Sequence, residues 1–539
     1  MAPECVIIKG NTAMPATGAA ESASDHDGKE HTYFMKIRKI IPLLLIAALL
    51  LPLFAACGES AQNSDAPSGG TSAGQTAPSA GDAETDAPEE DPDAALYTDL
   101  PKENFGGKTF TVLTPRHTEY DFVGEVDGDI ISEAVYKRNA AAEADLNISL
   151  VTVTEPGLWD DRDGYTAKVK NSVLAADDAY QLVAGYGAYI TAVAADGVFA
   201  NWNDVHAVNF EKPWWNSDIV YEMNVADRLY YITGDLTMTS VEYLFCIFFN
   251  KLLMEDTGLE SPYNLVREGK WTFDTMKTYA ETLMIDVNGD GKMTADDMYG
   301  YSTDSTNFIS GYMAAFDADV TVKGDDGLPV LAISNESFID KFMNLYQFIR
   351  VDPCVFLSTN EGSMIGDDRD AAKVFREARA LMLADILGNA AALRELDFDF
   401  GIIPYPKYTE EQTNYHTTAW DAYNLYSVPR TADLDFAGVV TENLAARSFQ
   451  FILPAFYDKA LLSKYARDED SAEMIGLIRG GATYNFGVVN SPHIGSPGHI
   501  WRDLVTSGSD NIASKTGKNE KAIVKSLQKF LEKTYINGD

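Results

Sequence analysis

Apolar and polar residues follow two distinct periods from residue 107 onwards. Residues 107–114 alternate as a strand does, and residues 129–146 place apolar side chains near one face of a helix. A second strand over residues 147–154, a second helix over 165–176 and a third strand over 180–186 follow. Strands that alternate with helices in this order predict a parallel sheet covered by helices.

The side chains that follow these strands are candidates for binding a ligand. Ligands of open α/β sheets lie outside the carboxyl ends of the strands. Arg116, Glu119 and Tyr120 come after the first predicted strand, and Tyr186 ends the third. We therefore expect these four side chains to line a cleft at that edge of the sheet.

The remainder of the chain predicts a second lobe. A long β-rich, hairpin-like stretch over residues 228–254 is where the chain is expected to leave the first lobe, and a second crossing is expected near residues 412–425. The predicted fold is α/β with two lobes, each a mostly parallel sheet flanked by helices, joined by crossing strands. Within residues 99–539, its predicted bounds are about 104–236 plus 413–455 for lobe 1 and about 237–412 plus 456–539 for lobe 2.

An apolar run near the start of the chain has the layout of a signal peptide, residues 35–56. Three basic residues precede it, and two alanines separate it from Cys57. The junction resembles a bacterial lipobox, although Phe54 stands where Leu, Val or Ile is usual, and this resemblance implies that Cys57 carries lipid. A single transmembrane anchor is the alternative, but the run is short for a bilayer span.

The segments on either side of the signal peptide do not read as folded domains. Residues 1–34 precede a signal that normally begins a chain, so we interpret them as a mis-called upstream extension. Residues 57–98 are rich in Gly, Ser, Ala, Pro, Asp and Glu and contain almost no large apolar side chain. Such a segment cannot bury enough surface to fold, and it predicts a disordered tether.

The charge of the chain argues against two classes of partner. The formal net charge is −39, which disfavours binding to nucleic acid through phosphates and docking on anionic lipid. It suits a soluble secreted protein. Cys246 lies in an apolar run and Cys354 follows a proline; whether they pair stays open, and no zinc spacing is present.

One acidic loop matches a calcium-binding pattern. Residues 286–297 follow D-x-[DN]-x-[DN]-G, and calcium prefers oxygen ligands at alternate positions of such a loop. Asp297 stands at the twelfth position instead of the usual Glu, and a metal-free acidic turn is the alternative. The predicted ligands of a structural Ca²⁺ are Asp286, Asn288, Asp290, Lys292 through its carbonyl, and Asp297.

Aromatic and acidic residues suggest carbohydrate binding. Sugar rings present flat C–H faces that pack on indole rings, and carboxylates accept hydrogen bonds from the hydroxyls. Trp420 followed by Asp421, on the second crossing, is the best candidate pair, and Asp235 and Asp385 are further candidates for the cleft. Core packing is the alternative for any one of the tryptophans.

Eight strings follow one another along the globular part of the chain: GDIISEAVYKRN, LVAGYGAYI, WWN, LYYITGDLT, FFNKLLMEDTGL, EGKWTFDTM, FDFGIIPYPKY and KYARDEDSAEM. Taken in this order, they resemble the extracellular solute-binding lipoproteins of bacterial ABC importers, in the carbohydrate-binding branch related to maltose-binding protein. The resemblance covers residues 104–539. It implies two lobes that close around a carbohydrate, no catalysis, permease subunits as partners, a monomer, and a lipid-anchored position outside the cytoplasmic membrane.

Two other functions stay open. Secreted acidic α/β proteins include glycosidases, which use two carboxylates at set separations; with 81 acidic residues, such pairs alone mean nothing. A surface glycan-binding or chemosensory lipoprotein without a transport role is the second alternative. The sequence holds no P-loop and no dinucleotide fingerprint, so we expect no organic cofactor.

We predict that Cys57 is the lipidated N-terminus of the mature protein. Because the lipid would be the membrane anchor, Cys57→Ala should release the protein into the medium or leave the precursor uncleaved. Membrane fractionation of cells that express the variant would test this. Unchanged processing and membrane retention would contradict it.

Overall fold

The computed structural model describes residues 94–359, 369–393, 396–461 and 469–537. The signal peptide, Cys57, the upstream extension and almost all of the tether lie outside the described residues. The strands, numbered in chain order, are β1 (Lys108–Pro115), β2 (Ile148–Glu155), β3 (Leu182–Tyr186), β4 (Phe245–Asn250), β5 (Met284–Ile285), β6 (Met298–Asp304), β7 (Thr321–Lys323), β8 (Pro329–Leu331), β9 (Val355–Ser358), β10 (Ala380–Ile386), β11 (Phe400–Ile403) and β12 (Asn424–Ser427).

The helices surround two main sheets. In chain order they are α1 (Ile130–Leu146), α2 (Arg162–Ala175), α3 (Gly187–Ala194), α4 (Ser217–Met223), α5 (Thr239–Glu242), α6 (Lys251–Asp256), α7 (Pro262–Arg267), α8 (Phe273–Glu281), α9 (Asn307–Ala315), α10 (Glu336–Tyr346), α11 (Asp370–Arg376), α12 (Ala390–Leu393), α13 (Leu434–Leu461), α14 (Glu469–Gly480), α15 (Phe486–Val489), α16 (Ile500–Ser507) and α17 (Ile512–Leu531). No helix within the described ranges is long and apolar enough to cross a membrane.

Lobe 1 is built on a four-stranded sheet in the order β12-β3-β1-β2. β1 pairs in parallel with β2 and β3, as the alternation of strands and helices predicted, while β12 returns antiparallel to β3. Local chemistry fixes where α1 begins, because the Asp129 carboxylate accepts hydrogen bonds from the amides of Ile131 and Ser132. The sequence therefore predicted this lobe almost strand by strand.

Lobe 2 is built on a six-stranded sheet with the path β11-β4-β10-β6-β5, and β9 pairs with β6. This sheet is mixed, not mostly parallel as predicted: β4 runs antiparallel to β10 and β11, and β6 runs parallel to β9 and β10. The hairpin predicted over residues 228–254 is wrong. That stretch contains the helix α5, and β4 finds its partners more than a hundred residues further along the chain.

Three segments pass between the lobes and pair with one another. Residue 244 forms an antiparallel bridge with residue 419, and residue 417 forms a parallel bridge with residue 482. Closer to lobe 1, Ile232 and Tyr426 exchange two backbone hydrogen bonds. The connection between the lobes is therefore a narrow hydrogen-bonded ribbon and not a set of loose linkers.

Asp121 ties this ribbon to lobe 1. Its fully buried carboxylate accepts hydrogen bonds from the Met238 amide at 2.9 Å and from the Asn424 side-chain amide at 2.9 Å. Met238 belongs to the first crossing and Asn424 to the second. One carboxylate thus holds both crossings to the end of β1.

The two cysteines within the described residues are free. Cys246 lies on β4 and Cys354 directly before β9, and both thiols are buried without a disulfide. The pairing that the sequence left open does not form.

The environment of Asp121 predicts a pH dependence of stability. Burial raises the pKa of Asp121 from 3.8 to about 6, although its hydrogen bonds oppose the rise. Between pH 4 and 6 the folded state therefore binds more protons than the unfolded chain, so this group's contribution to stability falls as the pH rises through that window. Relative to Asp121→Asn, the natural protein should lose roughly 2 kcal/mol of unfolding free energy between pH 4 and pH 7.

Denaturant unfolding at both pH values measures this difference. Asp256→Asn, at an exposed position, is the matched control and should show a difference that does not vary with pH. A gap between the natural protein and Asp121→Asn that stays constant or moves in the opposite direction would contradict the prediction.

Candidate functional site

A cavity of about 920 Å³ opens between the two lobes. Lobe 1 contributes Trp159 and Tyr186, the second crossing contributes Trp420 and Asp421, and lobe 2 contributes Asn307 at the start of α9. A narrower cavity of about 50 Å³ continues it and shares Trp420 and Asp421. The wall thus combines residues beyond the carboxyl ends of β2, β3 and β6 with the crossing, as expected for an α/β sheet.

Trp420 is held in this cavity by the pairing of the crossings. Its amide donates to the Tyr243 carbonyl at 2.8 Å, and its ring packs against the Tyr243 ring with centroids 5.0 Å apart. The indole remains partly exposed, and it lines both cavities. It is therefore a fixed aromatic surface that a ligand can reach.

Asp421 and Tyr186 meet beside this ring. The Tyr186 hydroxyl donates to the Asp421 carboxylate at 3.4 Å, and the Tyr186 ring stacks on Tyr189 with centroids 5.3 Å apart. Burial raises the pKa of both groups. For Asp421, the Arg502 guanidinium and the Tyr186 hydroxyl oppose the rise.

The C-terminal part of the chain, from residue 482 onwards and called the tail below, completes the cavity. His499, Arg502 and Asp503 line it from α16 and the turn before it, and sequence reasoning missed all three because no local pattern marks them. Trp159 and Asn307 were also missed, although both follow strands and could have been found by the rule that selected Tyr186.

Arg116, Glu119 and Tyr120, which were predicted to line the cleft after β1, lie outside this cavity. Tyr120 donates its hydroxyl to Glu242 and lies 3.3 Å from the Tyr243 hydroxyl, and it lines a separate cavity of about 460 Å³. Arg116 and Glu119 are exposed. The structure does not bring these three residues into the cavity beside Trp420.

Two predicted acidic residues are engaged in ion pairs. Arg479 donates to both carboxylate oxygens of Asp235, from Nε at 3.0 Å and also from Nη2. Asp385, 1% exposed on β10, accepts hydrogen bonds from Arg369 at 2.5 Å and from Asn389 at 2.7 Å. Asp385 therefore supports the interior of lobe 2, and Asp235 joins the first crossing to α14.

Comparison with known proteins rests on structure alone, because no family profile and no curated protein matches the sequence. The GacH receptor of Streptomyces glaucescens, solved without ligand and with acarbose, matches 78% of this chain and 99% of its own, at 14% identity and a TM-score of 0.50. UspC of M. tuberculosis matches 78% of this chain and 100% of its own, also at 14% identity and with a TM-score of 0.50.

The chain has the two-lobed α/β fold of the GacH receptor and UspC. This confirms the predicted fold class. In this fold the Trp420 cavity occupies the space between the lobes, on the crossing segments.

The acidic loop over residues 286–297 connects β5 and β6. Both carboxylate oxygens of Asp286 accept hydrogen bonds from backbone amides, one from Gly289 at 2.8 Å and the other from Gly291 at 2.7 Å. Gly291 has a φ of 79°, which a residue with a side chain rarely adopts. The conformation is therefore the tight turn that the sequence pattern requires.

Two further acidic side chains of the loop, Asp290 and Asp297, also accept hydrogen bonds from backbone amides. Asp290 accepts from the Lys292 amide at 2.8 Å, and buried Asp297 accepts from Val287 at 2.9 Å and Thr294 at 2.7 Å. These amides lower the pKa of Asp297. Among the described residues, no group of three or more His, Cys, Asp or Glu side chains is arranged to hold a metal, so calcium stays a prediction from the sequence.

Proposed function

We propose that this protein is an extracellular, lipid-anchored receptor that captures a carbohydrate, in particular an oligosaccharide, and delivers it to an ABC importer. The observation that carries the proposal is the interlobe cavity with Trp420 and Asp421 on its crossing segment. The acarbose complex of the GacH receptor supports it, because that protein shares the fold.

The groups in the cavity suit a sugar. Trp420 and Trp159 offer aromatic faces for the C–H side of a pyranose. Asp421 accepts hydrogen bonds, and the Asn307 side chain both donates and accepts, so hydroxyls around the ring would find partners. Apolar faces with a few placed polar groups are typical of small-molecule sites.

Capture would be coupled to movement of the lobes. A ligand favours the closed arrangement only through contacts that are missing in the open one. In this cavity Tyr186 belongs to lobe 1 and Asn307 to lobe 2, so a sugar that touches both stabilises their approach. The paired crossings would act as the hinge, and the open form would pass the sugar to permease subunits.

Receptor and enzyme make different demands on the same cavity. We propose binding without turnover, in a monomer, with no organic cofactor. A glycosidase would release reducing ends from a glycan and lose that activity when a cavity carboxylate is neutralised. A glycan-binding or chemosensory lipoprotein would bind sugar equally well but would not support uptake when supplied with the cognate permease.

Trp420→Ala should weaken sugar binding by roughly 10- to 100-fold, because stacking on one indole contributes about 1.5–3 kcal/mol. The fold should persist, since the ring is partly exposed. Isothermal titration with sugars selected in a thermal-shift screen of a glycan panel measures the loss, and Trp420→Phe should retain an intermediate affinity.

Trp501→Ala provides the contrast. Trp501 is fully buried against Phe338 and Phe342, so its removal should lower the melting temperature strongly, which Trp420→Ala should not. Unfolding of Trp420→Ala, or unchanged sugar affinity in a folded variant, would show that Trp420 does not form the binding surface.

We further propose that the loop at residues 286–297 takes up one structural Ca²⁺. The donor set of carboxylates, one amide oxygen and one carbonyl suits a hard cation. A ligand that binds only the folded state adds about 2.7 kcal/mol at a hundred times its Kd. A chelator should therefore lower the melting temperature, and Asp290→Ala should remove that sensitivity.

Asp296→Ala is the control for the calcium proposal. Asp296 lies in the same loop at a position that supplies no predicted ligand, and its side chain is exposed, so the chelator effect should remain. A melting temperature of the natural protein that is equal with calcium and with chelator would disprove the proposal.

A further inference from the structure

The tail supplies the cavity with an arginine that lies close to two carboxylates. Both Nε and Nη2 of Arg502 lie 3.4 Å from one oxygen of Asp503, a distance at the outer limit of a hydrogen bond. Arg502 is also near enough to Asp421 to act on its ionisation. The guanidinium therefore keeps donors free for a ligand while its charge is balanced from two sides.

His499, next to this group, adds no positive charge at neutral pH. Burial, with the nearby Arg502, lowers the pKa of His499 to about 4. The ring is thus neutral under ordinary conditions and can donate or accept one hydrogen bond at each nitrogen.

The charged groups among the described residues that line the two adjoining cavities are consequently one cation and two anions. Arg502 is the cation, and Asp421 and Asp503 are the acidic groups; burial raises the pKa of Asp421, but Arg502 opposes the rise and so favours its ionised form. The other polar side chains of the wall are uncharged: hydroxyls, the Asn307 amide, the neutral His499 ring and the indole N–H groups, which bind neutral and charged sugars alike. A carboxylate on the ligand would approach one arginine and two like charges together.

We propose that this cavity selects uncharged sugars over acidic ones, because Asp421 and Asp503 balance the positive charge of Arg502. The inference rests on the proposed carbohydrate-binding function and adds a rule of specificity to it. Arg502 then serves as a donor to neutral hydroxyls, and the two carboxylates repel uronic acids. The net charge of −39 has the same sign and reinforces the exclusion at low salt.

Isothermal titration of the protein without its signal peptide tests the rule. The probes are maltotriose, cellotriose, mannotriose and galactotriose, each beside its C6-oxidised uronate and the methyl ester of that uronate. The ester keeps the shape of the uronate but not its charge, so the two differ only in the property at issue. At least one neutral trisaccharide should bind, and its uronate should bind at least tenfold more weakly than the ester.

Asp503→Asn measures the contribution of the cavity. Removing this negative charge should narrow the ratio of ester affinity to uronate affinity by threefold or more, because Arg502 then faces one carboxylate instead of two. Asp510→Asn changes the net charge equally at an exposed position outside the cavity and should leave the ratio unchanged. In 0.5 M salt, the ratio of ester affinity to uronate affinity should also shrink for both variants, because salt screens the charges.

The outcomes separate the inference from the function on which it rests. A uronate that binds as tightly as its ester, or more tightly than every neutral probe, overturns the rule and leaves carbohydrate binding intact. An equal change of the ratio in Asp503→Asn and Asp510→Asn also overturns it, because the exclusion would then come from overall charge. No binding of any trisaccharide defeats the proposed function and the rule together.

Discussion

The backbone pairing of the three crossing segments is the constraint on which the cavity depends. Trp420 stands where it does because its amide bonds to Tyr243 on the first crossing, and the next bridge ties the second crossing to the tail. Each crossing strand would otherwise leave buried amides and carbonyls without partners, which costs more than the bonds themselves contribute. The pairing of the crossing segments therefore fixes the position of Trp420, independently of contacts from either lobe.

Two buried carboxylates secure this ribbon where it leaves lobe 1. Asp121 binds both crossings on the side of lobe 1, and Asp235 on the first crossing is paired with Arg479 of α14. Burial raises the pKa of both acids. Removing one partner of such a set strands a charge or a donor in the interior, so these positions tolerate little change. Polar groups here secure one arrangement of the crossings, where apolar packing alone would permit several.

Sequence reasoning succeeded where the structure depends on local pattern. The helix α1, the alternating strands of lobe 1 and the glycine turn of the acidic loop all follow from neighbours within a few residues. It failed where partners are distant: β4 has the same apolar character in a hairpin as in a central strand, and only β10 and β11 decide between them.

The same limit applies to the candidate site. Nothing near Asp235 in the sequence shows that Arg479 will neutralise it, and nothing near Asp385 points to Arg369. The tryptophans show the problem most clearly. Five of the seven are buried, with exposed fractions of 4% or less, and only Trp159 and Trp420 line the cavity. Burial depends on the whole fold, so indole rings alone could not identify a binding surface.

The tail would also constrain the lobe movement proposed above. His493 bonds to Thr191 of lobe 1 at 3.0 Å, while Thr506 bonds to the Ser305 carbonyl of lobe 2 at 2.7 Å. In a rigid rotation, points near the axis move least, so bonds to both lobes survive only if the axis passes close to the tail. Arg502, within this segment, would then keep its place in open and closed forms alike. Trp159, 44% exposed on an outer turn of lobe 1, would travel further. A ligand would then meet Arg502 in the same place in both forms, whereas its stacking on Trp159 would depend on how far the lobes have closed.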